Sequence, residues 1–317
     1  MKDLGTLRWF LGMHVEHDLQ AGTLTIHQRQ YIENMMKRYD FMKDVAPTAL
    51  PANPDVKLTK ADCPLPEDNA DEKYWWRPLY RSVVGSLLYA QCASRPDISV
   101  AVSKLSQFLD NPGPKHWEQA VHCLAYLKGT PELGITYTRK PAEHPWSNRL
   151  TMFVDATWAD CTDTRKSTTG FVGMLNGGPV CWKSQKQPIV AQSSCEAEFI
   201  AACKSANEVC FIRQLLGELG YTQQVTRIYE DNMAAKQLAH NPGALRDRSK
   251  HFEIRYFKLQ ELVQQAIITL TYVGTKEQIA DTLTKNLSKP LFLRLRGFLL
   301  GTTQFDHARY DEQPVPD

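Results

Sequence analysis

The chain has no apolar run near the roughly 18 residues that a membrane span needs. Its opening residues, Met1-Lys2-Asp3-Leu4-Gly5, do not form a signal peptide. Eight cysteines are present, yet none forms a C-x-x-C pair and no spacing suits a zinc site. The histidines are equally unpromising by spacing. His14 and His17 fall three apart on an expected strand and face opposite ways, while His116 and His122 lie six apart on an expected helix. These absences argue against secreted disulfide scaffolds and zinc modules. The expectation is an intracellular protein with free thiols and no membrane partner, cytoplasm and nucleus being indistinguishable. Charge of one sign is scarce overall, at a formal +2, but residues 246–296 carry ten Lys/Arg against five acids. That local excess suits either a solvated surface or a polyanion track.

What is present is an ordinary globular composition. With 43% hydrophobic and 23% charged residues over 317 positions, the chain can bury a sizeable core and predicts two domains. Short strands are expected around 7–15 and 24–26. A helical stripe of Tyr31, Ile32, Met35, Met36 and Tyr39 predicts a helix over 28–39. Five prolines mark 43–73 as a linker or surface crossing. Helices are expected over 79–93, 98–109 and 115–128, the second opened by Arg95-Pro96-Asp97, as a packing unit without visible chemistry.

After a second proline-containing link at 141–148 the pattern changes. Strands are expected at 150–156, 169–175 and 179–184, with Asn176-Gly177-Gly178 supplying a tight hairpin. A helix over 195–218, a strand at 226–230, helices over 232–240 and 250–265, a strand at 267–273 and a helix over 276–286 complete the run. The fold class expected is α/β. A mixed five-stranded sheet with flanking helices is preceded by a mostly helical region with an N-terminal β-hairpin.

Four acids fall at the ends of these elements: Asp155, Glu196, Asp231 and Asp281. Carboxylates gathered at one sheet edge repel one another unless a cation neutralises them, so the set implies divalent metal. Each has a duller role available. Asp155 fits a turn, Asp231 a helix cap, Asp281 a solvent-facing helix, and Ser193-x-x-Glu196 a capping box. Glu198 competes with Glu196 and ranks below it.

Local sequence is more specific. Val154-Asp155-Ala156-Thr157-Trp158-Ala159, Arg165-Lys166-Ser167-Thr168-Thr169-Gly170, Trp182-Lys183-Ser184-Gln185-Lys186-Gln187, Ser193-Ser194-Cys195-Glu196-Ala197-Glu198-Phe199, Asp231-Asn232, Ser249-Lys250-His251 and Ala280-Asp281-Thr282-Leu283-Thr284-Lys285 resemble the ribonuclease H domain of copia-type retrotransposon polyproteins. In the first half, Met1-Lys2-Asp3-Leu4-Gly5 with Phe10-Leu11-Gly12 resembles the primer-grip hairpin of the same polyproteins. Tyr80-Arg81-Ser82-Val83-Val84-Gly85-Ser86-Leu87-Leu88-Tyr89, Arg95-Pro96-Asp97 and Tyr126-Leu127-Lys128-Gly129-Thr130 resemble their thumb and connection. Two departures stand out. Thr157 occupies a position that is usually acidic, and 274–278 has no histidine where cellular ribonucleases H carry a histidine-bearing loop.

The resemblance implies a reverse transcriptase remnant over 1–140, a ribonuclease H-like domain over 149–300 and a tail over 301–317. The family's Tyr-Val-Asp-Asp polymerase motif precedes the first residues here, so DNA synthesis by this chain alone is not expected. The chemistry implied is phosphodiester hydrolysis on the RNA strand of an RNA–DNA hybrid. Mg²⁺ or Mn²⁺ would be held by Asp155, Glu196, Asp231 and Asp281. Arg165, Lys166, Ser167, Thr168, Lys183, Lys186 and Lys250 are the candidate backbone contacts. Expected partners are the hybrid and either the missing palm and fingers or another polyprotein copy. The competing expectation is a non-catalytic nucleic-acid-binding remnant.

Overall fold

A computed structural model describes residues 5–65, 74–240 and 250–310, with the side chains of 250–256 outside the description. The chain divides into two compact units. Residues 1–136 and 286–296 form the first, and 137–285 and 297–317 the second. Residues 286–296, which the sequence assigns to the second domain, thus group with the first. Among the described residues no helix is long and apolar enough to cross a membrane.

The first unit holds β1 (Trp9–Phe10), β2 (Met13–Asp18), β3 (Thr23–His27) and the start of β4 (Gly134–Thr138), which lie in that order in one sheet; the boundary at 136 falls within β4. The strand expected at 7–15 is broken by Leu11 and Gly12. Both take positive φ (48° and 77°) and make a two-residue hairpin turn whose twist suits the flanking strands. β4 was not foreseen. Helices α1 (Arg29–Arg38), α2 (Arg77–Ala93), α3 (Ser99–Leu105) and α4 (Pro114–Gly129) follow the apolar stripes. Between α2 and α3 the fully buried Arg95 donates to both oxygens of Asp97 at 2.8–2.9 Å and to Thr130. Burial works against ionisation of Asp97, but the adjoining guanidinium outweighs it and holds the carboxyl below its ordinary range.

The second unit carries the expected mixed sheet. Its strands are β5 (Thr151–Thr157), β6 (Thr168–Leu175), β7 (Gly178–Lys186), β8 (Thr226–Glu230) and β9 (Ile268–Tyr272). Their order is β7-β6-β5-β8-β9, the first three antiparallel and the last two parallel to β5. Asn176 and Gly177, both at positive φ, turn β6 into β7. Alternation along β5 sends Met152, Val154 and Ala156 into one core, with helix α5 (Ser194–Glu218), Ala239 of α6 (Met233–His240), and Leu259 and Leu262 of α7 (Lys250–Gln264). Phe153 points into the opposite core with Val172, Tyr229, Ile279 and Leu283.

The helix expected over 276–286 is instead two 3-10 turns, Thr275–Glu277 and Ile279–Leu283. A helix that the sequence reading missed, α8 (Lys289–Leu299), follows. Residues 301–310, expected to be a tail, belong to the fold. Phe305 and Tyr310 pack on Tyr229, and His307 stacks on Trp146.

Candidate active site

The site grows from β5 and its neighbours. Thr151, Phe153 and Asp155 share one strand face, so the apolar alternation that buries Phe153 also delivers Asp155 to the end of the sheet, 2% exposed. Parallel pairing of β5 with β8 brings Glu230 and Asp231 alongside at the same end. Gly170 of β6 faces Asp155 in register. A Cβ there would stand 2.6 Å from Thr284 Cγ2 and 2.9 Å from Leu283 Cβ. The missing side chain lets the 3-10 segment lie against β6, and that segment carries Asp281 and Thr284 to the same place.

The structure brings Asp155, Glu198 and Asp231 together, with ligand oxygens all within 4.8 Å of one another. Glu196, the sequence-based candidate from α5, sits elsewhere. Its Oε2 accepts from the Gln192 N–H at 2.7 Å while its own N–H donates to Ser193 Oγ at 3.1 Å. It ties the residue before the N-cap to the first turn of the helix, one position short of the expected capping box. Two residues further on, a helix has turned about 200°, and this turns Glu198 inward, 6% exposed. The two carboxylates in Ser-Ser-Cys-Glu-Ala-Glu therefore differ in role: Glu196 braces the segment leading into the helix, and Glu198 joins the cluster.

Glu230 is a member that sequence reasoning missed. It is fully buried, with Oε1 accepting from the Asn232 N–H. As the last residue of an expected strand it gave no signal of its own beside Asp231. Asp281 is also fully buried, and Lys285 joins it to the cluster. The ammonium lies 2.8 Å from Asp281 Oδ1 and 3.8 Å from Asp155 Oδ2. Thr284 Oγ1 donates to Asp155 Oδ2, and Thr275 Oγ1 to Asp231 Oδ2 at 3.1 Å.

Burial raises the carboxyl pKa of Glu198, with the charges of Glu230, Asp155 and Asp231 adding to it. Burial and Asp155 do the same to Glu230 and Asp231. Burial followed by the Asp155 charge pushes Asp281 up to about 7, against the opposing pull of Lys285. Burial opposes the charge on Lys285, but Asp155 and Asp281 more than offset it and raise its pKa.

Such crowding is costly without a counter-cation. Among the described residues no hydrogen-bond donor reaches Glu198 Oε2 or Glu230 Oε2, although both are buried. An oxygen-only donor set with spare buried acceptors fits Mg²⁺ or Mn²⁺. Neighbouring ligands of one octahedral Mg²⁺ lie about 3 Å apart, so the three oxygens, all within 4.8 Å of one another, would draw closer around a shared ion.

The basic candidates are scattered. Arg165 and Lys183 are exposed and Lys166 is half-buried. Lys186 Nζ donates to Cys161 Sγ at 2.9 Å. Ser167 and Thr168 are buried: Ser167 Oγ accepts from the Ala159 N–H, and Thr168 Oγ1 donates to Asp160. Both hydroxyls serve the loop after β5, and neither faces solvent as a phosphate contact would. The Lys250 side chain and residues 241–249 lie outside the described residues.

No protein-family profile matches the chain. Among curated proteins, the Retrovirus-related Pol polyprotein from transposon TNT 1-94 of Nicotiana tabacum is 35% identical over 293 residues, covering 92% of this chain. The Pol polyprotein from transposon RE1 of Arabidopsis thaliana is 36% identical over 297 residues, again 92% of this chain. The chain spans about a fifth of these relatives, 21% and 19% of their lengths. Among solved structures, LC11-RNase H1 in complex with RNA/DNA hybrid overlaps 43% of this chain and 94% of its own, at 11% identity and a TM-score of 0.34.

Proposed function

Because the chain belongs to the copia-type Pol polyproteins of retrotransposons, we propose that its second unit is a metal-dependent nuclease for the RNA strand of RNA–DNA hybrids. The observation that carries this reading is the convergence of Asp155, Glu198 and Asp231 oxygens within 4.8 Å, at the meeting point of β5, β8 and α5. Asp281 stands beside them through Lys285. Bound Mg²⁺ would supply an activated water and charge neutralisation at the departing 3′ oxygen.

The protein's own residues do the remaining work. Asp155, Glu198 and Asp231 present oxygens for the ion, and the Thr284 and Thr275 hydroxyls fix the orientation of Asp155 and Asp231. Lys285 keeps the cluster from carrying its full negative charge before the metal arrives. Of the basic candidates, Arg165 and Lys183 are exposed and would meet phosphate through contacts that weaken with salt, with Lys166 half-buried beside Arg165 in sequence.

A second reading rests on Lys285. An ammonium already placed between Asp155 and Asp281 would let the unit bind hybrid without cleaving it. The test is Mg²⁺-dependent cleavage of a labelled RNA–DNA hybrid by the full chain, run beside double-stranded RNA and Asp155→Asn. Hybrid cleavage abolished by Asp155→Asn supports the nuclease. Hybrid binding without cleavage selects the second reading, and cleavage that survives Asp155→Asn removes the metal assignment.

A further inference from the structure

A second cluster of ligand-type atoms lies in the first unit and shares no residue with the carboxylate site. On β2 and β3, His14 and His27 face each other in register, and Glu16 lies two residues along on the same strand face as His14. His14 Nδ1, His27 Nε2 and Glu16 Oε1 form a triangle with edges of 3.2, 3.2 and 3.4 Å. A tetrahedral Zn²⁺ with bonds of about 2.0–2.1 Å has ligand atoms about 3.3–3.4 Å apart. We propose that this triangle is a Zn²⁺ site, with His14, Glu16 and His27 as ligands and the fourth position open to solvent beside the 57%-exposed Glu16 side chain.

The surroundings hold the three groups in place. Trp9 stacks on the His14 ring, with centroids 4.6 Å apart. Gly134 of β4 packs so closely on His27 that a Cβ would come within 2.6 Å of the His27 Cβ. His27 is buried, so its ring has little freedom. In the metal-free form the Arg29 N–H donates to His27 Nδ1 at 3.3 Å. The ring proton of neutral His27 then sits on Nε2, directed at Glu16 and His14. Metal binding needs the Nε2 lone pair, so that proton moves to Nδ1 and the long Arg29 contact is given up. A neutral imidazole loses no proton in the exchange. Three ligands from two paired strands would clamp the hairpin as a cross-link does. Spacing along the chain hides such a site, because His27 meets His14 only across the strand pair.

The test uses the full chain in excess Mg²⁺, which occupies the carboxylate site, titrated with Zn²⁺ against a chromophoric chelator. One equivalent should bind, and His14→Gln, Glu16→Gln and His27→Gln should each weaken it by at least about tenfold. Far-UV circular dichroism confirms folding, and the solvent-accessible Glu16→Gln guards against loss of fold at His27. Co²⁺ in place of Zn²⁺ should give visible d–d bands without a thiolate charge-transfer band, separating this site from the eight cysteines. Unchanged Zn²⁺ affinity in His14→Gln and Glu16→Gln, or a Co²⁺ spectrum dominated by thiolate, would overturn the proposal. Either result would leave the triangle as a hydrogen-bonded pair of histidines.

Discussion

At the scale of single residues, the decisive contrast lies between Glu196 and Glu198. Glu198→Gln removes a carboxylate from the cluster and should lower hybrid cleavage by more than about a hundredfold, since even groups that only orient metal ligands cost 10–100-fold. Glu196→Gln should leave cleavage within about threefold and cost roughly 0.5–1 kcal/mol of stability, the scale of a weakened cap. Equal losses from both substitutions would refute the division of roles. Lys285→Met provides a second check. The variant should lose roughly 1 kcal/mol without metal, a figure discounted because the side chain is 36% exposed. It should also need several-fold less Mg²⁺ for half-maximal cleavage. An unaltered Mg²⁺ requirement would mean that the ammonium does not compete for the cluster. Asp155 was visible in the sequence because it closes an apolar alternation, and Asp231 because it directly follows a short strand. Glu198 was visible as a carboxylate, but the capping signature drew attention to its neighbour. Glu230 carried no signal, because its burial depends on β8 pairing with both β5 and β9.

Among elements, the strands of the second unit were legible because alternation and the Asn176-Gly177 turn leave few other registers. The segment 275–283 was not. Its apolar Ile279, Ala280 and Leu283 suit a helix equally well, and only its seat against Gly170 selects 3-10 turns. β4 was missed because a five-residue strand takes its place from tertiary contacts, and α8 because its residues were read as the end of the second domain. The tight seat is open to test. Gly170→Ala should cost about 1–3 kcal/mol in urea unfolding, as overpacking does. It should also reduce cleavage, by displacing the segment that carries Asp281 and Thr284. Wild-type stability and cleavage in this variant would show that the segment yields freely.

For the molecule as a whole, the carboxylate cluster couples stability to pH and metal. Asp281, pushed up to about 7 from an ordinary 3.8, binds its proton more tightly when folded. Its contribution is fully present below pH about 3.8 and is lost as pH rises through about 7. Raised values at Glu198, Glu230 and Asp231 act in the same direction. Mg²⁺ removes the repulsion, so it should raise Tm more at pH 8 than at pH 5. The difference should be at least about 2–4 °C, the shift given by roughly 1 kcal/mol in a protein of this size. A Mg²⁺ increment that is equal at both pH values would count against a cation in the cluster.

The path of the chain between its units has a practical result. Residues 286–296 belong with 1–136, where Phe292 and Leu295 are buried and Arg296 donates to the Tyr126 hydroxyl at 3.1 Å. A nick between 136 and 137 therefore produces two pieces, the second still carrying a strap that completes the first. Coexpressed as 1–136 and 137–317, the halves should copurify as a split protein through a tagged first half. Leu295→Asp in the second should release its partner.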